Sequence, residues 1–307
     1  MTKSSESLSE AAQSPGALAG RATTWRRRVW RIARLPLFIF VGLIVVFAAI
    51  QDNLIFPGRA SQGRPEAAVT PPPGAEMVTL RGADGGRIVA LFGPALNADG
   101  TPHAEAGKRP TLLFFYGNGM HLATSLDLFE SFRRLGANVL IPDYPGYGLS
   151  AGSPSEAGCY AAADAGLAHL RGRADVDPDR IVVAGWSLGG AVAIDLAART
   201  PVAGLAAFST FSSLPDVAAI HFPWLPTGLL LRHRFESERK IGQVAGPILL
   251  AHGTDDAMIP FAMMDRLAKA AGRPVDRVAI AGAGHNDVFD AGRRPIAEGL
   301  LRLLDRP

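Results

Sequence analysis

The chain has 307 residues, of which 48% are hydrophobic, so it is long enough for one large α/β domain or two small ones with a sizeable core. Lysine and arginine exceed aspartate and glutamate by only 31 to 28, and much of that excess lies near the N-terminus, which argues against nucleic acid as a partner. Cys159 is the single cysteine, so the chain can form no internal disulfide.

The N-terminal 50 residues predict a membrane anchor. Residues 1–34 are expected to be disordered and basic, because few large apolar residues precede six arginines between positions 21 and 34. Residues 35–50 carry no charge and span about 24 Å as a helix, which snorkelling of Arg34 extends towards a hydrocarbon core of about 30 Å. Basic residues remain cytoplasmic, so the anchor is predicted to be single-pass, with the rest of the chain on the opposite side.

Two other interpretations of this apolar run stay open. It is also consistent with a cleaved signal peptide of the twin-arginine kind, given Arg26-Arg27-Arg28, or with a buried core helix. Residues 51–75 are rich in proline and glycine and predict a linker, so a globular domain is expected over residues 76–307.

Strand and helix patterns alternate through this domain. A hairpin signal around Asp84-Gly85-Gly86 opens it. The predicted strands are 77–80, 87–92, 111–116, 138–141, 180–185, 204–208, 247–251 and 275–280, and the predicted helices are 122–135, 155–171, 188–199, 261–271 and 287–304. This order indicates an α/β fold with a mostly parallel, twisted sheet, helices on both faces and a ligand site at the carboxyl ends of the strands.

A G-x-S-x-G pattern, Gly185-Trp-Ser-Leu-Gly189, lies between a predicted buried strand and a predicted helix. In that context the pattern indicates a sharp turn that exposes the hydroxyl of Ser187 as a nucleophile. The N-terminus of the following helix would direct free N–H groups at the reaction site. The alternative is a plain glycine turn without chemistry.

A nucleophilic serine needs a base and an orienting carboxylate. Among the seven histidines, His285 has the most suitable position, because it follows the last predicted strand and precedes the terminal helix. Asp255 and Asp256 both follow the preceding strand and both fit as the carboxylate; the alternative for the two is a solvated turn or N-cap. An oxyanion hole needs two backbone N–H groups, which Leu188 and Asn118 in the turn after Tyr116 are expected to supply.

Residues 211–242 interrupt the strand–helix alternation and are predicted to form a short cap insertion. The segment carries many apolar side chains, and it emerges at the same sheet edge as Ser187. We expect Trp224 and Leu230 to line an acyl pocket there, the alternative being that the segment packs wholly on the sheet edge.

Together these motifs resemble the α/β-hydrolase superfamily over roughly residues 75–305, including its Ser–Asp–His order. Within it the chain is similar to the bud-emergence-suppressor-like, abhydrolase-domain serine hydrolases, which are membrane-anchored. The stretches that carry the resemblance are 51–57, 117–119, 143–150, 185–189, 223–226, 255–260 and 284–287. The resemblance selects Asp256 as the triad carboxylate. The chain departs from the family at Tyr116, where histidine is usual, and near Phe208, where glutamate is usual.

The resemblance implies a serine hydrolase that cleaves carboxylic esters or thioesters through an acyl-enzyme, without metal or cofactor. The expected substrate is a small-molecule or lipid-like acyl compound. A serine peptidase or amidase of the same fold, and a catalytically silent scaffold, remain as alternatives. The intact Ser187, Asp256 and His285 count against the scaffold.

Overall fold

The computed structural model describes residues 15–82 and 85–305, without the side chains of residues 15–29 and 31–33. The chain divides after Ala49 into two compact units. The first helix, α1, runs from Pro15 to Ile55 and contributes to both. The helix includes residues 15–34, which the sequence predicted to be disordered, while residues 1–14 lie outside the described part of the chain.

One stretch of α1, Arg34–Ile55, is long and apolar enough to cross a membrane, with a mean hydropathy of 2.2. Only 6% of its most apolar window is buried, which excludes a buried core helix. A membrane anchor and a signal sequence both satisfy this test.

The second unit, residues 50–307, is built on one eight-stranded sheet in the order β1-β2-β4-β3-β5-β6-β7-β8. The strands are β1 (Glu76–Arg81), β2 (Arg87–Gly93), β3 (Thr111–Phe115), β4 (Asn138–Pro142), β5 (Ile181–Trp186), β6 (Gly204–Phe208), β7 (Ile248–Gly253) and β8 (Asp276–Ile280). β2 pairs antiparallel with both β1 and β4, and the remaining pairs are parallel. The predicted mostly parallel α/β sheet is confirmed.

Helices follow most of the parallel strands. They are α2 (Leu126–Arg134), α3 (Glu156–Arg171), α4 (Leu188–Arg199), α5 (Leu214–His221), α6 (Thr227–Leu230), α7 (Ser237–Lys240), α8 (Ala262–Ala270), α9 (Val288–Ala291) and α10 (Arg293–Leu304). Short 3₁₀ turns occupy Pro57–Ser61, Pro65–Ala67, Ala106–Lys108, Leu122–Ser125, Pro178–Arg180 and Ile241–Gln243.

The predicted terminal helix 287–304 is divided at Gly292. A Cβ on this residue would lie 2.5 Å from both Ile280 Cδ1 and Val288 O. Gly292 packs so closely against β8 that only glycine fits there. The helix α9 ends before this residue, and α10 begins after it. The core strands β3, β4 and β6 are buried along their whole length, as expected for a parallel sheet covered on both faces.

Residues 51–75, which the sequence predicted to be a linker, pack against the domain. Phe56 is fully buried and makes edge contacts with His233 and Phe235, at ring-centroid distances of 5.1 and 6.3 Å. Gly58, Ser61 and Ala67 are buried as well. The compact unit therefore begins at Ile50 and not at residue 76. The prolines and glycines of this segment are typical of a linker. In the structure they lie in and around the 3₁₀ turns Pro57–Ser61 and Pro65–Ala67, which pack on the domain.

Candidate active site

Ser187 occupies the turn between β5 and α4 with φ 56° and ψ −119°, a strained conformation for a residue other than glycine. The turn is closed by backbone contacts on both sides. A Cβ on Gly185 would lie 2.0 Å from Gly189 O, and one on Gly189 would lie 2.0 Å from Phe115 O. The two glycines of the pattern are thus required sterically, and the predicted strand–turn–helix context is present.

His285 joins Ser187 to a carboxylate. Its Nε2 lies 3.0 Å from Ser187 Oγ, and its Nδ1 lies 2.7 Å from Asp256 Oδ2. With Nδ1–H donating to the carboxylate, Nε2 is left to accept the proton of the serine hydroxyl. All three side chains come from carboxyl-end loops of β5, β7 and β8, and all three residues are buried.

Asp256 and Asp255 occupy different environments. The side chain of Asp256 is fully buried, and its Oδ1 accepts from the backbone N–H groups of Met258 at 2.9 Å and Ile259 at 2.7 Å. Asp255 is exposed, and its carboxylate accepts from the hydroxyl of Thr254. The structure therefore brings Asp256, and not its neighbour, to His285.

Asp256 is held in its ionised form. Burial by itself raises its pKa, but hydrogen bonds from His252, His285 and the backbone of Ile259 outweigh burial and hold the pKa well below the ordinary aspartate value. His252 was not predicted to have a role. Its Nε2 lies 2.8 Å from Ile259 O and 3.3 Å from Asp256 Oδ2, and its position four residues before Asp256, at the end of β7, was the available signal.

The loop after β3 lies against the nucleophile. A Cβ on Gly117 would be 3.5 Å from Ser187 Cβ, so the glycine allows this loop to approach closely. Within residues 15–82 and 85–305, no protein oxygen accepts a hydrogen bond from the backbone N–H of Asn118 or of Leu188. The two groups predicted for the oxyanion hole are thus available as donors.

Two further residues support the nucleophile and were missed in the sequence. Trp186 packs on His285 with a ring-centroid distance of 5.6 Å and an interplanar angle of 29°. Thr210 donates its hydroxyl proton to Ser187 O at 2.8 Å, and Ser187 N donates to Phe208 O. The insertion after β6 therefore begins directly beside the nucleophile.

The insertion 211–242 is helical, comprising α5, α6 and α7. Phe211, Leu225, Leu231 and Phe235 are buried, whereas Ile220, Phe222, Trp224 and Leu229 are exposed. Leu230, the second predicted pocket residue, is partly exposed, and its carbonyl accepts from Gln51 Nε2 at 3.4 Å. The Nε2 atom of His221, at the end of α5, lies 2.9 Å from Met258 O. The insertion therefore also contacts the loop that carries Asp256.

No group of three or more His, Cys, Asp or Glu side chains that could hold a metal ion occurs in the described part of the chain. The groups gathered around Ser187 suit nucleophilic acyl transfer, which needs a base, an orienting carboxylate and oxyanion donors.

Comparison with known proteins places the fold in a family. The model of the alpha/beta hydrolase family matches residues 112–242. Alpha/beta hydrolase domain-containing protein 17B of Xenopus tropicalis is 34% identical over 214 residues, covering 69% of this chain and 70% of its own. The chain belongs to the α/β-hydrolase family. An uncharacterized protein of Mycobacterium tuberculosis is 35% identical over 279 residues, covering 91% of this chain and 96% of its own.

Solved structures show the same fold at lower identity. An esterase of Pyrococcus furiosus superposes with a TM-score of 0.61 and 16% identity, covering 76% of this chain and 90% of the esterase. An alpha-beta hydrolase of Vibrio vulnificus gives a TM-score of 0.59 and 24% identity, covering 74% of this chain and 81% of its own. This likeness defines the fold, while the reaction has to be argued from the site.

Proposed function

We propose that this α/β hydrolase is a serine hydrolase that cleaves carboxylic esters or thioesters through an acyl-enzyme. The observation that carries the proposal is the position of His285, whose two ring nitrogens lie within hydrogen-bond distance of Ser187 Oγ and Asp256 Oδ2. Ser187 is the nucleophile, His285 the general base and Asp256 the orienting carboxylate.

In the acylation half-reaction, Ser187 Oγ attacks the acyl carbon while His285 Nε2 takes the hydroxyl proton. Asp256 stabilises the imidazolium that forms, and the N–H groups of Asn118 and Leu188 stabilise the negative charge on the former carbonyl oxygen. The imidazolium then gives its proton to the departing alkoxide or thiolate as the C–O or C–S bond breaks. Ser187 is left as an ester of the substrate's acyl group.

Deacylation uses the same groups with water in place of the serine hydroxyl. His285 Nε2 removes a proton from water, the hydroxide attacks the acyl carbon, and the same two N–H groups stabilise the second oxyanion. The proton returns to Ser187 Oγ as the acyl–serine bond breaks. A carboxylic acid is released, and the enzyme is restored.

The insertion supports this choice of substrate class. Its side chains Ile220, Trp224 and Leu229 expose apolar surface, and His221 of the same insertion contacts Met258 O in the loop that carries Asp256. Apolar surface suits an acyl chain on a small-molecule or lipid-like compound. In this proposal Trp224 and Leu230 contribute to the pocket that selects the chain length.

We further propose that residues 35–50 remain as a single-pass anchor, with the N-terminus cytoplasmic and residues 76–307 on the opposite side. The arginines before the apolar run support this orientation. Full-length protein should sediment with membranes and resist extraction by carbonate, and protease added outside the cytoplasm should reach the domain. A mature protein that begins just after Ala49 would instead identify a cleaved signal peptide.

A substrate panel tests the reaction class. Full-length protein in detergent micelles is assayed on short and long acyl esters, the matching acyl-thioesters and the matching amides, with Ser187→Ala as the control. We expect kcat/KM on esters or thioesters to exceed that on amides, with no turnover by the control. Preferential Ser187-dependent cleavage of amides would reassign the protein as a peptidase or amidase, and absence of turnover on every class would favour the scaffold.

A further inference from the structure

Residues 55–61, which connect the end of α1 to the domain, contact the loop after β3. The backbone N–H of Gly58 donates to Asn118 O at 3.0 Å, and the side chain of Asn118 donates through Nδ2 to Ile55 O at 3.0 Å. Asn118 is therefore held at two points, its carbonyl and its side chain, by a segment that the sequence predicted to be part of a linker.

A third bond reaches the same carbonyl. Tyr147 Oη donates to Asn118 O at 2.8 Å. Burial raises the pKa of Tyr147 well above its ordinary value, so this hydroxyl stays protonated and acts as a donor at neutral pH. The carbonyl oxygen of Asn118 thus accepts from two donors, one in residues 55–61 and one in the loop after β4.

Residues 55–61 and the nearby Gly63 are also hydrogen-bonded to the loop that carries Tyr147. Ser61 Oγ accepts from Gly148 N at 3.0 Å and donates to Gly58 O at 2.6 Å, while Gly63 N donates to Gly148 O at 2.9 Å. Phe56, fully buried against Phe235, anchors the start of the segment. These bonds leave the segment little freedom relative to Asn118.

Glycine at position 58 is required for this contact. A Cβ there would lie 2.2 Å from Tyr147 Cε1 and 2.9 Å from Asn118 O. Both distances are too short for a carbon atom, so any larger residue would displace either the tyrosine or the carbonyl.

We infer that residues 55–61 position the oxyanion hole through Asn118. Holding the carbonyl oxygen and the side chain of one residue restricts the orientation of its Cα, and therefore the location of its backbone nitrogen. That nitrogen carries the N–H group assigned to the oxyanion, whose placement matters to within a fraction of an ångström. The inference rests on the proposed serine-hydrolase function and adds that the end of α1 is part of the catalytic support.

The test uses full-length protein in detergent micelles with an activated acyl ester. Three variants disturb the contact: Gly58→Ala by steric clash, Tyr147→Phe by removal of one hydroxyl with retention of the ring, and Asn118→Ala by loss of the bond to Ile55 with retention of the backbone N–H. Gly107→Ala is the matched control, because the nearest atom to its added methyl group would be Asp175 O at 3.7 Å. For each variant kcat, KM and the melting temperature are measured.

We expect kcat to fall about tenfold or more in Gly58→Ala and roughly two- to tenfold in the other two variants, with KM changed less than twofold. The inhibition constant of an alkyl trifluoromethyl ketone, which forms a tetrahedral oxyanion on serine, should rise in proportion to the loss of kcat/KM. The Gly107→Ala control should match the wild type. If Gly58→Ala does not fold, Tyr147→Phe and Asn118→Ala decide the question.

The inference is overturned if Tyr147→Phe and Asn118→Ala keep wild-type kcat while Ser187→Ala is inactive, since the proposed function then stands without it. It is also overturned if kcat falls while the inhibition constant stays constant, because the segment would then change the rate by a route other than the oxyanion hole. Wild-type protein without Ser187-dependent hydrolysis would instead contradict the proposed function itself.

Discussion

The indole of Trp186 stacks on the imidazole of His285, with ring centroids 5.6 Å apart. The imidazole becomes positively charged in the transition states of the proposed reaction, and an aromatic face at this distance stabilises a cation. Trp186 is therefore expected to favour the charged state of the base while it limits rotation of the ring.

Replacing Trp186 with leucine should lower kcat by about two- to thirtyfold, the range that corresponds to a lost cation–π contact. Trp186→Phe retains an aromatic face and should recover part of the rate. Steady-state kinetics on one ester, with melting temperatures for both variants, measure the effect. Equal kcat values for the leucine variant and the wild type would show that the stacking has no catalytic effect.

Asp256→Asn should lower kcat by about 10²–10⁴-fold, because the amide neither holds the imidazole in the required tautomer nor stabilises its charge. Asp255→Asn is the matched control and should have little effect, since the carboxylate of Asp255 contacts Thr254 and not His285. Similar, mild losses in both variants would mean that the carboxylate of the triad has been assigned wrongly.

The lowered pKa of Asp256 predicts a pH dependence of stability. A carboxyl group with a folded-state pKa below its unfolded value of about 3.9 stabilises the fold fully above that value and loses this contribution as pH falls towards the folded pKa. The melting temperature of wild type minus that of Asp256→Asn should therefore decrease as the pH falls below about 4. A difference that persists unchanged at pH 3 would contradict the lowered pKa.

If the insertion selects the acyl chain, Trp224→Ala and Leu230→Ala should change the ratio of kcat/KM between short and long acyl esters. One methylene in an apolar pocket is worth about 1–3 kcal/mol, so the ratio should change at least severalfold. Leu128→Ala is a control, because this leucine is also partly exposed but lies in α2, outside the insertion. Lower melting temperatures with unchanged ratios would make the two residues purely structural.

The parts of the fold predicted from sequence are those with local signals. Each strand is marked by a β-branched or apolar run within a few residues. Gly185 and Gly189 mark a turn that leaves no room for a side chain at those two positions. In contrast, Asp255 and Asp256 are adjacent and chemically equal, and only the folded path of the loop after β7 directs one of them to His285. The family resemblance, and not the residues alone, selected Asp256.

The packing of residues 51–75 could not be predicted for the same reason. The prolines and glycines of this segment are typical of a linker. Its burial, however, depends on the contact between Phe56 and Phe235, and its hydrogen bonds to Asn118 depend on the position of the loop after β3. Such contacts join positions far apart in the chain, so composition within a short window carries no signal of them. The helix over residues 15–34 extends the apolar run, which composition alone did not indicate.

The central claim is that Ser187 is the activated nucleophile of a serine hydrolase, and the most direct test is mass spectrometry of the protein after reaction with a fluorophosphonate. The reagent should add one phosphonyl group to the wild type, located on the peptide that contains Ser187, and abolish ester hydrolysis in proportion to labelling. Ser187→Ala, with a melting temperature close to that of the wild type, should take up no label and show no turnover. Labelling at another residue, or ordinary turnover by a folded Ser187→Ala protein, would contradict the account.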